Sequence, residues 1–247
     1  NDFNYAYFLP FVKSGKRIAY APSMGAQLSI KTYKDRKKVI DLLNQYDAIS
    51  VREAVGARYI GEITKMPTAS VLDPTLLLNP QEYDNLIDDK PLIKGEYVFI
   101  YSPNFTEKVN EMAEALGDKY NKQVVISQGL ISKNAMLKWG RKFNIYTATG
   151  PKEFLNLCKN ASIICCDSFH AVAFSILFKK CFFVLDGMKD NRISNLLQIT
   201  HLQNRNFSSP NEYFNAPLQM DFTQPLGALE IERRKSLEWL KEHLDVC

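Results

Sequence analysis

The stretch Ala161-Ser162-Ile163-Ile164-Cys165-Cys166-Asp167-Ser168-Phe169-His170-Ala171-Val172-Ala173-Phe174-Ser175 reads as an apolar strand that stops at Asp167-Ser168 and turns into an apolar helix. A strand without polar alternation is covered on both faces, which is the mark of parallel sheets flanked by helices. Working outward from it, the same alternation recurs. Short β-branched or aromatic runs at Arg17–Ala21, Ala48–Val51, Ser70–Leu72, Tyr97–Tyr101, Gln123–Ile126 and Cys181–Leu185 read as strands, beside Ala161–Cys166 itself. Helical patterns lie between them at Thr32–Asn44, Val55–Ile63, Thr106–Asn121, Pro151–Cys158, Phe169–Phe178 and Arg192–Ile199. Thr106 carries a capping signal, and Pro151 suits a first helical turn. Alternation this dense predicts the α/β class with mainly parallel sheets.

Pro80, Pro91, Gly95 and the polar run Asp88-Asp89-Lys90 interrupt the pattern, with strand-like runs on both sides. They predict one lobe over residues 1–85 and a second over 92–215. From 225 to 247, Leu226, Leu229, Leu237, Leu240 and Leu244 recur at helical spacing and predict an amphipathic helix.

Composition narrows the function classes. Of 247 residues, 46% are apolar and 23% charged, which excludes a disordered chain, a collagen-like repeat and a disulfide-stapled miniprotein. The longest charge-free run, Ile18 to Ile30, spans 13 residues, short of the roughly 18 that a membrane helix needs. The formal charge is only +4, and the basic runs Lys34–Lys38 and Arg233–Lys235 read as solvated helix faces, so no nucleic-acid partner is expected. Five cysteines, an odd number without a CxxC pair, argue for reduced thiols, a cytoplasmic location and no metal site. The chain starts at Asn1 without an initiator Met or a signal-like segment, which reads as a fragment of something longer.

In parallel sheets, ligands bind beyond the carboxyl ends of strands. Three such places stand out. In Ala21-Pro22-Ser23-Met24-Gly25, Ser23 offers a hydroxyl and Gly25 a close backbone approach, although turns favour these residues in any case. In Ser50-Val51-Arg52-Glu53, a guanidinium stands where it can grip phosphate or carboxylate, or else pair with Glu53 at the surface. In Cys166-Asp167-Ser168-Phe169-His170, Asp167 or Ser168 can cap the helix that carries His170 in its first turn. Of the three histidines, His170 is the one placed to exchange protons, while His201 and His243 lie in segments that read as solvent-facing. A structural histidine packed beside the helix remains the other reading of His170. No nucleophile elbow supports hydrolysis.

Four ordered blocks resemble the polysaccharide pyruvyl transferase family. They are Arg17–Gly25; Asp47–Glu53 followed by Leu72-Asp73-Pro74-Thr75-Leu76-Leu77-Leu78; Cys166–Ser175; and Asn191–Leu197 with Leu202 and Arg205. The resemblance implies two Rossmann-like lobes resembling the GT-B glycosyltransferase architecture, with the first lobe incomplete at its N-terminus and ligands in the cleft. It implies transfer of pyruvate from phosphoenolpyruvate to a sugar of a surface polysaccharide or its lipid-linked precursor, as a ketal, with no metal and no cofactor. A lipid-linked acceptor implies work at the inner face of the membrane with peripheral association; the oligomeric state stays open.

The family arginine after the "SVR" strand corresponds to Arg52, and its histidine to His170. Some relatives carry Arg-Leu-His where this chain has Ser168-Phe169-His170, so Arg192 is the candidate substitute for the missing donor-binding cation. Ser23, Gly25 and the helix start at Ser168 would add donors to the anion, His170 would move protons, and Asp167 would orient its ring. Two alternatives share this architecture: a nucleotide-sugar-dependent glycosyltransferase, and a non-catalytic glycan-binding derivative.

Overall fold

A computed structural model describes residues 5–25, 36–87, 90–103, 105–127, 129, 132–140, 142–148 and 150–244, without the side chain of residue 135. The chain divides into two compact units. The first comprises Asn1–Leu77, Asp190–Asn195 and Glu230–Cys247, and the second Leu78–Lys189 and Leu196–Leu229.

In the first unit, β1 (Ile18–Ala19), β2 (Ala48–Val51) and β3 (Thr68–Ser70) form a three-stranded parallel sheet in that order. All four residues of β2 are buried, as expected of a central strand without polar alternation. Helices α1 (Arg36–Leu43) and α2 (Ala54–Thr64) bury Val39, Leu43, Ala57, Tyr59 and Ile60 against Ile49 and Val51. Tyr5, Phe8 and Leu9, in and after a short 3-10 turn, pack against this cluster, whereas Tyr7 and Phe11 are exposed. Of the helix expected over Thr32–Asn44, residues 32–35 lie outside the described residues.

The third strand is displaced from expectation. Ser70–Leu72 reads as a strand, but pairing runs over Thr68–Ser70 and stops before Leu72. Val71 still donates to the Val51 carbonyl at 2.9 Å, whereas the Leu72 amide donates to the Ser236 hydroxyl at 2.9 Å. Leu72 is apolar because it lies buried near α9 (Thr223–Leu244), not because it belongs to the ladder. That helix corrects a second expectation. The buried side of α9 carries Leu229, Arg233 and Ser236, while Leu237 is 38% and Leu244 51% exposed. Irregular backbone at Leu72–Leu76 needs polar partners, and Arg233 Nε supplies one to the Leu76 carbonyl at 2.9 Å.

The second unit is a six-stranded, wholly parallel sheet. Its strands are β4 (Tyr97–Tyr101), β5 (Gln123–Ser127), β6 (Phe143–Tyr146), β7 (Ile163–Cys166), β8 (Cys181–Leu185) and β9 (Asn206–Phe207), in the order β6-β5-β4-β7-β8-β9. Helix α3 (Glu107–Tyr120) presents Val109, Met112, Ala113 and Leu116 at helical spacing to Val98, Ile100, Ile163 and Cys165. The opposite face of β4 meets α5 (Pro151–Asn160) and α6 (Phe169–Leu177), where Phe154 packs on Tyr101 at 4.4 Å and on Phe174 at 5.7 Å between ring centroids. Cys165 therefore lies under α3, while Cys166 faces Cys158 of α5, and burial pushes the Cys166 thiol up to about 12. Truncating Leu116, which is fully buried, would cost about 2–5 kcal/mol. Gly117 lets α3 and β5 touch: a Cβ there would meet the Val124 side chain at 2.8 Å.

Two strands and two helices escape the sequence reading: β6, β9, α4 (Lys133–Trp139) and α8 (Pro210–Asn215). β6 and β9 are the sheet edges, short and partly exposed, so they carry no continuous apolar run. Helix α7 (Asn191–Ile199) gives its start to the first unit and its end, from Leu196, to the second.

Candidate active site

In the first unit the strand ends converge on a ring of charges. Backbone after β1 passes through Ala21 at φ 52° and Gly25 at φ 76°, the left-handed region that glycine enters without penalty. The loop is tied down by Glu53. Its carboxylate, only 1% exposed, accepts from the Ser23 hydroxyl and from the Met24 amide at 3.2 Å. Ser23 Oγ in turn accepts from the Gly25 amide at 2.9 Å. The expected surface pair of Arg52 with Glu53 is thus not the arrangement found. Arg52 instead forms an ion pair with Asp73, which is 4% exposed and also accepts from the amide and hydroxyl of Thr75 at 2.9 and 2.6 Å. Burial alone would raise the Asp73 carboxyl, but the Thr75 hydrogen bonds and the Arg52 charge outweigh it and hold it below its ordinary range.

Arg192 was expected among the cations of the second lobe. It groups with the first unit, because the start of α7 is bonded there. Asn195 donates to the Arg52 carbonyl at 3.2 Å, and its Oδ1 stands 3.5 Å from the Ala54 amide. The Arg192 guanidinium is gripped by Asp190, with Nε at 3.0 and 3.2 Å from the two carboxylate oxygens and Nη2 at 2.5 Å from Oδ2. Those bonds, aided by the charges of Asp190 and Glu53, raise its pKa further above the usual arginine value. Arg52, Arg192, Ser23 and Gly25 therefore belong to one unit and to one network of loops, with Glu53, Asp73, Asp190 and Asn195 as its struts.

In the second unit the sheet order runs outward in both directions from β4 and β7. The crossover reverses between those neighbours, and that point is where parallel α/β sheets open a ligand crevice at their carboxyl ends. Asp167, Ser168 and His170 follow β7 at this switch point, and Ser102 and Thr106 follow β4. Asp167 Oδ2 accepts from the Ser102 hydroxyl at 3.0 Å and from the Thr106 hydroxyl at 2.5 Å, while the Thr106 amide donates to Ser102 at 3.0 Å. Asp167 Oδ1 is buried with no hydrogen-bond donor among the described residues. Neither oxygen bonds the imidazole, so Asp167 does not orient the His170 ring as expected. It pins the turn after β4 to the turn after β7.

Ser168 is the residue before α6 and is 9% exposed; its hydroxyl makes no cap, and its carbonyl accepts the first helical bond from Val172 at 3.1 Å. Thr106 likewise makes no side-chain cap on α3, since its hydroxyl is spent on Asp167. His170 is exposed in the first turn of α6, edge-on to Phe169 with ring centroids 5.3 Å apart. Of the other histidines, His201 is exposed, whereas His243 stacks on Trp239 at 4.2 Å. Among the described residues no group of three His, Cys, Asp or Glu is disposed to hold a metal ion, and no helix is long and apolar enough to cross a membrane.

A family model described as "Polysaccharide pyruvyl transferase" matches residues 1–187. The chain belongs to that family, a family of transferases. The matched span holds Ser23, Gly25, Arg52, Asp167, Ser168 and His170, and ends before Arg192. No curated protein matches the chain. Among solved structures, a UDP-N-acetylglucosamine 2-epimerase from Rickettsia bellii is similar, with a TM-score of 0.51 and 14% identity over 85% of this chain and 62% of that one. The chain thus spans less than two thirds of that structure, and at such identity the likeness is one of fold. It agrees with Rossmann-like lobes of the GT-B-like class.

Sequence reasoning named both arginines and the histidine but missed their struts. Asp73-Pro74-Thr75 carried a usable signal, because an Asp two residues before a Thr invites the side-chain-to-backbone turn found here. Ser102, Thr106 and Asn195 carried none, since their roles depend on which strands become neighbours.

Proposed function

We propose that this member of the family transfers the pyruvyl group of phosphoenolpyruvate to a pair of sugar hydroxyls, releasing inorganic phosphate and leaving a cyclic ketal. The observation that carries the proposal is the position of His170: an exposed imidazole in the first helical turn at the sheet's switch point, inside the span matched by the family model. In the reaction the methylene carbon of the donor takes a proton and the adjacent carbon becomes cationic. One sugar oxygen bonds to that carbon and loses its proton; the bond to the phosphate oxygen breaks and phosphate leaves; the second hydroxyl bonds to the carbon so exposed, closing the ring, and its proton departs with the phosphate. His170 is the group suited to those proton transfers.

The donor carries a phosphate and a carboxylate, which suit guanidinium forks. Arg52 and Arg192 are the proposed donor-binding cations, with the amides around Ser23 and Gly25 and the helix start at Ser168 as further donors. Asp73 and Asp190 keep the two guanidinium groups in place before any ligand arrives, which lowers the ordering cost of binding. The acceptor is a glycan or its lipid-linked precursor, reached at the inner face of the membrane by peripheral association. Neither metal nor cofactor is part of the scheme. Acceptor-dependent phosphate release from phosphoenolpyruvate tests it. Saturable binding of a nucleotide sugar with no such release would replace the proposal by the glycosyltransferase alternative.

A further inference from the structure

At the opposite, amino-terminal ends of the strands of the second unit lies a cavity of about 560 Å³. Gly95, Lys122, Ser162, Lys179, Lys180 and Cys181 are among the residues that line it, and Glu96 is the one acidic residue among the described lining residues. Glu96 is engaged by Lys122 at 2.6 Å and by the Ser162 hydroxyl at 3.4 Å. Lys159 beyond the wall is likewise paired, with Asp84 at 2.6 Å. Lys179 and Lys180 have no acidic partner among the described residues. Lys179 is exposed at φ 54°, and Lys180 is half-buried at the start of β8.

We propose that this cavity binds a phosphate-type anion, held by Lys179 and Lys180 with Lys122 at its side. Three ammonium groups against one carboxylate leave an excess of positive charge in a partly desolvated recess, where an anion is worth more than at an open surface. Burial first, and the nearby charge of Lys159 second, lower the Lys180 pKa. Ala161, Cys181 and Leu218 add an apolar wall, so the phosphate can be free or the headgroup of a lipid. The site is independent of the transfer reaction, whose proposed residues stand at the carboxyl ends of the strands.

The test is a titration of the full chain with inorganic phosphate, followed through the amide resonances of Gly95, Ser162 and Lys180, beside co-sedimentation with vesicles of neutral or of anionic phospholipid. Saturable shifts at those amides, weakened at least about tenfold in the Lys179→Gln/Lys180→Gln variant, support a free anion. No phosphate response, but sedimentation with anionic vesicles alone that the double variant loses, supports the headgroup. Glu96→Gln frees Lys122 and should tighten either interaction severalfold. Absence of both interactions, or binding that the double variant and Glu96→Gln leave unchanged, overturns the proposal.

Discussion

The two units carry their candidate groups at equivalent places, the carboxyl ends of parallel strands, yet they differ in electrostatics. In the first, each guanidinium is already engaged by a carboxylate, Arg52 by Asp73 and Arg192 by Asp190, and a buried Glu53 secures the adjoining loop. In the second, Ser102–Thr106 and Cys166–His170 contain no Lys or Arg at all; the network there is two hydroxyls on one carboxylate beside an imidazole. One architecture thus carries paired guanidinium groups in one unit and an exposed imidazole in the other. The difference comes from which side chains follow the strands, not from the sheets themselves.

The largest effect expected from breaking this contrast is at His170. Its side chain is exposed, so His170→Ala should leave the folded state intact while lowering acceptor-dependent turnover by about 100-fold or more. A near-normal rate with unaltered thermal unfolding would remove proton handling from the second unit.

Next comes Arg52→Gln, which strips Asp73 of its cation. The expected cost is about 3 kcal/mol of stability in denaturant titration, because a nearly buried carboxylate loses its partner, together with a raised KM for phosphoenolpyruvate. The same pair predicts an acid response. Asp73 binds its proton less readily folded than unfolded, so it contributes stability above the ordinary carboxylate range, and that contribution is lost as pH falls below about 4 through the depressed value. Asp190 acts in the same sense, since its bonds to Arg192 outweigh the burial that would raise it. Asp73→Asn should therefore flatten the acid limb of the stability profile. An unchanged limb would mean that the first unit does not depend on its charge pairs.

A smaller effect is expected at Thr106→Val, which removes one of the two hydroxyls that hold Asp167. The cost should be about 1–2 kcal/mol, read by thermal unfolding, with kcat reduced more than KM is raised. The smallest belongs to Gly25→Ala. Among the described residues no atom stands within 4 Å of the added Cβ, and the positive φ of 76° opposes it at about 1 kcal/mol. A larger loss there, with donor affinity falling in step, would show that the loop's backbone carries more of the anion binding than the arginines do.

Much of the fold was legible in the sequence because central parallel strands are buried on both faces and must be apolar throughout. β2, β4 and β8 coincide with their expected bounds for that reason. The edge strands β6 and β9 were not legible, since half-exposed strands of two to four residues leave no such trace. In the candidate site, strand-end or helix-start position together with the family resemblance marked Arg52 and His170, and the resemblance made Arg192 the substitute cation. The surroundings of the two arginines depend on partners 2 to 143 residues away, from Asp190 beside Arg192 to Asn195 on the Arg52 carbonyl. Local pattern therefore established the α/β class and the titratable candidates, through burial and residue chemistry. Only tertiary structure decided that Asp167 braces two turns rather than an imidazole, and that Arg192 joins the first unit. Both outcomes rest on hydrogen bonds between segments that neighbour one another only after the sheets have assembled.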